Sequence, residues 1–144
     1  GPVASALLRI AASFGFSLVL CGEIEHAIAD RQYASLGEMC SASLPAVDRY
    51  IVIATQGKGD VAALQAALKM AASYTAFVGS RRKFASYEDK LTAAGVSVAQ
   101  IATVRSPAGV HINAVTPEEI ALSIMAEIIQ TRRTARQQHA ADDA

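Results

Sequence analysis

The sequence predicts an α/β fold built on a doubly wound parallel sheet, and three observations carry that expectation. Short apolar runs, Phe16 to Cys21, Tyr50 to Ala54 and Tyr74 to Val78, alternate with stretches of helical periodicity. These runs are apolar on both faces, as strands are when helices cover both sides of a parallel sheet. The loops after the runs collect glycines, hydroxyls and cations, and ligands of such sheets sit outside the carboxyl ends of the strands. At 144 residues the chain suits one domain with a sizeable core.

Bulk composition narrows the functional classes. Hydrophobic residues make up 52% and charged residues 18%, which excludes a disordered polar chain. The 13 Lys and Arg balance the 13 Asp and Glu. No whole-chain attraction to nucleic acid or an anionic membrane follows, and neither is expected as a partner. Basic groups cluster locally, at residues 81–83 and at Arg132, Arg133 and Arg136. Cys21 and Cys40 form no CxxC pair and only three histidines are present, so neither a zinc site nor a disulfide framework is expected. Both thiols read as buried structural groups in a reducing compartment. With no leader pattern and no apolar run of membrane-spanning length, the expectation is a cytoplasmic protein.

In chain order, Val3, Ala4, Leu7, Leu8 and Ala11 mark one face of a helix that Gly15 closes. The run Phe16 to Cys21 follows, with Gly22 and Glu23 at its end. A short helix over His26 to Tyr33 and a short strand over Met39 to Leu44 are the weakest assignments. Tyr50 to Ala54 is a buried strand that ends in Thr55-Gln-Gly-Lys-Gly-Asp60, where Asp60 can cap the next helix. That helix buries Val61, Leu64, Ala67, Leu68 and Ala71. Tyr74 to Val78 is the central strand, followed by a helix from Ser80 to about Ala94, closed by Gly95. A turn or short helix and a short strand ending near Val104 come next. Thr116-Pro-Glu-Glu119 combines a Thr cap, Pro at the first position and Glu at the third, a helix start. Ile120, Ala121, Ile124, Met125, Ile128 and Ile129 form its buried stripe, and Glu119, Ser123, Glu127 and Gln130 its polar face. Residues 1–131 are expected to form the domain, with a polar C-terminal tail over 132–144 that extends the helix or frays.

The chemistry gathers on the expected ligand edge. A strand delivering Gly79 and Ser80 to a helix start leaves backbone N–H groups that favour an anion, with Arg81, Arg82 and Lys83 alongside. Cations there oppose the helix dipole, although a solvated basic first turn remains the plain alternative. Gly57 and Gly59 let backbone approach a ligand closely, with Thr55 and Gln56 beside them. Gly1 and Glu23 match the two ends of a dinucleotide-binding unit, in which an acid about 20 residues after the glycine turn bonds a ribose hydroxyl. The first strand of that unit would lie before Gly1. Its absence leaves open sheet edges, filled by residues before Gly1 or by another chain, which keeps a homo-oligomer among the expectations.

The sequences Ala54-Thr-Gln-Gly-Lys-Gly-Asp60, Phe77-Val-Gly-Ser-Arg-Arg-Lys-Phe84, Pro107-Ala-Gly109 and Thr116-Pro-Glu-Glu-Ile-Ala-Leu-Ser-Ile124 occur in order. Together they resemble the Rossmann-type C-terminal domain of the XdhC/CoxF accessory proteins. The resemblance implies a Rossmann-like doubly wound sheet, here lacking its first strand. It also implies an accessory role in maturing molybdenum hydroxylases such as xanthine dehydrogenase or carbon monoxide dehydrogenase. The implied cofactor is molybdenum cofactor, as molybdopterin or molybdopterin cytosine dinucleotide, and the implied partner is a molybdenum hydroxylase apo-enzyme. A phosphate-bearing small molecule would be held by Gly1, Glu23, Thr55, Gln56, Gly57, Gly59, Gly79, Ser80, Arg81, Arg82, Lys83, Pro107, Gly109 and His111. No catalytic residue and no metal ligand is implied. The chain departs from the family pattern after Gly109: Val110-His-Ile-Asn113 stands where the family has Leu-Asp-Ile-Gly. His111 can pair with a phosphate when protonated, or be an ordinary loop histidine. Two alternatives stay open, an NAD(P)-dependent oxidoreductase and a nucleotide-sensing regulatory domain. The first lacks a Tyr-x-x-x-Lys pair near the edge.

Overall fold

Helix and strand alternate along the chain, in a computed structural model that describes residues 1–22, 26–45 and 47–143. The order is α1 (Pro2–Ala12), β1 (Val19–Cys21), β2 (Arg31–Tyr33), α2 (Leu36–Ser41), β3 (Tyr50–Ile53), α3 (Asp60–Leu68), β4 (Tyr74–Phe77), α4 (Arg81–Ala85), α5 (Glu88–Ala93), α6 (Val98–Ala102), β5 (Val104–Arg105) and α7 (Pro117–Asp142). All strand pairs are parallel. β3 pairs with β4 from Tyr50 opposite Tyr74 to Ile53 opposite Phe77, and β5 adds to the far side of β4. β1 and β2 form a second, two-stranded sheet. Among the described residues the two sheets share no strand pairing. The fold is the predicted Rossmann-like α/β class.

Each face of the larger sheet has its own core. The side chains of β3 and β4 alternate between them, as a period of two requires. Ile51, Ile53 and Phe77 pack with Leu64, Phe84, Leu91 and Ile101 from the helices after β3 and β4. Tyr50, Val52, Tyr74 and Ala76 pack with Leu8 of α1 and Ile124, Met125 and Ile128 of α7. Phe77 also contacts Phe84 and Tyr87, with ring centroids 5.9 Å and 6.0 Å apart. All of β4 is buried.

Several expectations change. The segment expected as a helix over His26 to Tyr33 contributes β2 instead, paired with β1. The strand expected over Met39 to Leu44 overlaps α2, which Ser35 caps through Glu38 N–H while Glu38 reaches back to Ala34 N–H. The helix expected from Ser80 to Ala94 is broken into α4 and α5 at Ser86 and Tyr87. The polar stretch after Thr131 continues α7 to Asp142, the first of the two outcomes the sequence leaves open. The α7 start is as expected: Thr116 and Glu119 form a reciprocal capping box, with Pro117 in the first turn.

Because Leu64 and Ile124 belong to different cores, their truncations should act independently. Leu64→Ala is expected to cost about 2–5 kcal/mol and Ile124→Val about 0.5–1.5 kcal/mol. Urea denaturation of both single variants and the double variant checks this. A double-variant loss far from the sum would mean the two cores are coupled.

Candidate functional site

The carboxyl ends of β3, β4 and β5 bring three loops together, as the parallel order demands. After β3 the chain turns through Gln56, Gly57 and Gly59, at φ of 54°, 85° and 72°. Glycine takes this left-handed region freely, whereas Gln56 takes it at a steric cost. The Gln56 amide lies against Gly1: a Cβ on Gly1 would sit 2.6 Å from the Gln56 Cδ. Gly1 is the N-cap of α1 and supplies no side-chain cap. The amides of Val3 and Ala4 therefore have no acceptor within the helix. Gly1, Val3, Ala4, Ala54, Gln56 and Val78 line a crevice of about 60 Å³ at this point.

The second loop leaves β4 at Val78, whose N–H donates to Ile53 O at 2.9 Å. Ser80 Oγ accepts from Lys83 N–H at 3.0 Å and starts α4, only five residues long. Arg81, Arg82 and Lys83 are exposed. Gly79 has a packing reason to be glycine, because an added Cβ would come within 2.5 Å of the Phe77 ring. A substitution there would disturb the core as well as any ligand contact.

Asp60 departs from its expected role. It is the first residue of α3, Gly59 is the cap, and no side-chain cap forms. Its carboxylate is 4% exposed and accepts hydrogen bonds from the hydroxyls of Thr55 and Tyr87. Lys83 Nζ stands 3.7 Å from Oδ2. Burial pushes the Asp60 carboxyl up, but the two hydroxyls and the Lys83 charge outweigh it and hold the group below its usual value. The bond to Asp60, with burial adding to it, raises the Tyr87 phenol. The sequence signal for this cluster is the spacing of Lys83 and Tyr87, four apart, beside a Thr and an Asp that bracket two glycines.

The third loop is tied down rather than open. Ser106 Oγ lies 3.4 Å from both Gly79 O and Ser80 O, and Ala108 N–H donates to Phe77 O at 3.2 Å. Gly109 N–H donates to Glu127 Oε1 at 3.0 Å, the oxygen that also accepts from Tyr74 OH at 2.5 Å. Arg105 Nη1 lies 3.8 Å from Glu127 Oε2. Burial raises the Tyr74 phenol well above its usual value, and Glu127 adds to the rise. A Cβ on Gly109 would sit 2.2 Å from Ser123 Oγ and 2.9 Å from the Ser123 carbonyl carbon. Ser123 is 3% exposed. The polar face expected on α7 is thus corrected at Ser123 and Glu127, which this loop covers.

The remaining site residues divide. Pro107 and His111 are exposed on the third loop. Asn113 has φ of 57°, the left-handed region that the family's glycine would suit and that Asn tolerates. Glu23 lies outside the described residues. Cys21 is half-buried, and burial raises its thiol, whereas Cys40 is exposed, against the expectation that both are buried.

Two measurements test this arrangement. Asp60 titrates lower in the folded chain than in the unfolded one. Its stabilisation is whole above the unfolded value of about 3.9 and is lost as pH falls through the lower folded value. The urea midpoint of the wild type should fall more steeply below about pH 4 than that of Asp60→Asn; parallel curves would show that Asp60 contributes none of the acid dependence. Gly109→Ala should cost about 1–3 kcal/mol by overpacking against α7. A midpoint equal to wild type would mean the loop yields freely.

Comparison with known proteins places this geometry. The chain is 35% identical over 88 residues to the uncharacterized protein YqeB of Escherichia coli (strain K12), a match covering 61% of this chain and 16% of YqeB. It is also similar to a crystal structure described as a xanthine dehydrogenase from Bacillus halodurans, with a TM-score of 0.80 at 25% identity. That match covers 96% of this chain and 44% of the solved one, so the chain spans less than half the length of either relative. The model of the XdhC Rossmann domain matches residues 1–128. From α1 into α7, the chain belongs to the XdhC Rossmann domain family.

Proposed function

We propose that this domain holds a phosphate-bearing cofactor at the carboxyl edge of its sheet. The cofactor is molybdenum cofactor, as molybdopterin or its cytosine dinucleotide, awaiting insertion into a molybdenum hydroxylase of the xanthine dehydrogenase type. The family membership and the likeness to the Bacillus halodurans structure described as a xanthine dehydrogenase support the enzyme class. One observation carries the ligand class: the uncapped start of α1 meets the Gln56 turn in a crevice of about 60 Å³. Free amides at a helix start favour an anion.

The residues fit part of the cofactor. A phosphate-sized group suits the crevice, whereas a whole cofactor needs a cleft of roughly 300 Å³ or more. The pterin or nucleotide would therefore lie outside it, along the exposed edge. Val3 and Ala4 amides and the Gln56 side chain would orient the phosphate. Arg81, Arg82 and Lys83 would supply charge, and an Arg can grip two phosphate oxygens at once. The bound group supplies the molybdenum and dithiolene chemistry of the recipient enzyme, and this chain's residues bind and orient it.

A second reading, NAD(P) binding, rests on the same crevice, since one phosphate of its pyrophosphate suits it equally. Calorimetric titration separates the two. The protein is expected to bind molybdopterin cytosine dinucleotide with micromolar or tighter affinity, and Arg82→Ala to weaken that binding by about 1–3 kcal/mol. Preference for NAD(P)H, with hydride transfer to any substrate in a panel, would favour the oxidoreductase. Failure to bind either would reject both.

A further inference from the structure

Among the described residues, Asp60 is the one charged side chain that is buried. A carboxylate survives burial only when its oxygens are satisfied. Thr55 satisfies Oδ1 from the end of β3, and Tyr87 satisfies Oδ2 from the junction of α4 and α5. Lys83 Nζ stands 3.7 Å from Oδ2, beyond hydrogen-bond reach but well within ion-pair attraction. Asp60 draws at most one of the three Lys83 N–H donors, which leaves two for another partner. The ammonium also lies 3.5 Å from the place a Cβ on Gly57 would take, so it stands over bare backbone at the mouth of the first loop. The Lys83 side chain is 44% exposed. The other cations on these turns, Lys58, Arg81 and Arg82, are exposed.

We propose that Asp60 is the positioning residue of the anion site: it fixes the Lys83 ammonium over Gly57 with its donors directed to an incoming phosphate. This rests on the phosphate-binding reading above and adds a division of labour to it. Lys83 is the pre-placed cation, and Arg81 and Arg82 are mobile ones. Ordering Lys83 in advance removes rotamer entropy that binding would otherwise cost, so Asp60 strengthens anion binding although it carries the anion's own sign.

The test uses inorganic pyrophosphate as probe and calorimetry as readout. Lys83→Met should weaken binding about tenfold, the worth of one charge-assisted hydrogen bond. Asp60→Asn should weaken it by a similar factor, and the double variant should be no weaker than Lys83→Met alone. Tighter or unchanged binding by Asp60→Asn, or losses that multiply in the double variant, would overturn the proposal. Asp60→Glu keeps the charge and moves it by one methylene. It is expected to bind more weakly than wild type and serves as second variant if Asp60→Asn does not fold; wild-type affinity in Asp60→Glu would also overturn the proposal. A second readout separates this proposal from the function it rests on. In protein labelled with ¹³C-lysine, the Lys83 Cε signal should be displaced from the free-lysine position in wild type and return to it in Asp60→Asn. Unbound pyrophosphate with that displacement present would refute the phosphate site and leave the positioning intact. An identical Lys83 signal in both proteins would refute the positioning.

Discussion

A strand buried along its whole length imposes most of what surrounds it. β4 carries Tyr74 and Ala76 toward one core and Phe77 toward the other, so helices must cover both faces. Sealing both faces leaves only the two ends of the strand for polar chemistry. The entering end places the Tyr74 hydroxyl on Glu127, and the leaving end opens at Gly79 and Ser80. The same geometry holds for β3, whose leaving end is the Thr55 to Gly59 turn. The binding edge is therefore a consequence of how the core is closed, with the loops filling the only places where backbone amides and charges can stay wet.

Features written in local chemistry were legible in the sequence. The apolar runs at Tyr50 and Tyr74, the Thr116-Pro-Glu-Glu119 helix start and the glycine-bearing turns depend on residues within a few positions of one another, and each is found where expected. The run from Phe16, by contrast, is a strand only over Val19–Cys21, with Val19 exposed. Failures occur where a distant partner decides. β2 is the polar triplet Arg31 to Tyr33, and only its pairing with β1 makes it a strand. Asp60 looks like a helix cap until Tyr87 and Lys83 arrive from a later turn to claim its carboxylate. Ser123 and Glu127 look solvent-facing on a helical wheel, yet the Gly109 loop lies across them. The candidate site was legible as a set of loops but not as a set of contacts. Gly79 and Gly109 stood out as glycines, while the Phe77 ring and the α7 backbone that require them did not.

Family membership and geometry limit one another usefully. The match to the XdhC Rossmann domain runs through nearly the whole chain, but the chain spans 44% of the Bacillus halodurans structure and 16% of YqeB. Under the proposed function, this domain supplies the grip on the cofactor's phosphate. Transfer to an enzyme then requires that the grip be reversible. A small crevice that takes one end of the ligand, with exposed Arg81 and Arg82 outside it, suits a carrier better than a deep enclosing cleft does.

The contact of Gly109 with α7 bears on how this sequence can drift. Tyr74, Gly109, Ser123 and Glu127 come from three separate stretches, yet each constrains another: two donors share one Glu127 oxygen, and Ser123 fills the space a side chain at 109 would need. A longer residue at 123 crowds the loop, and a shorter acid at 127 strands a buried phenol. Descendants of this chain are thus free to vary one of the four only with compensation at another, so the four positions should be inherited as a block even where the exposed cations nearby have been replaced.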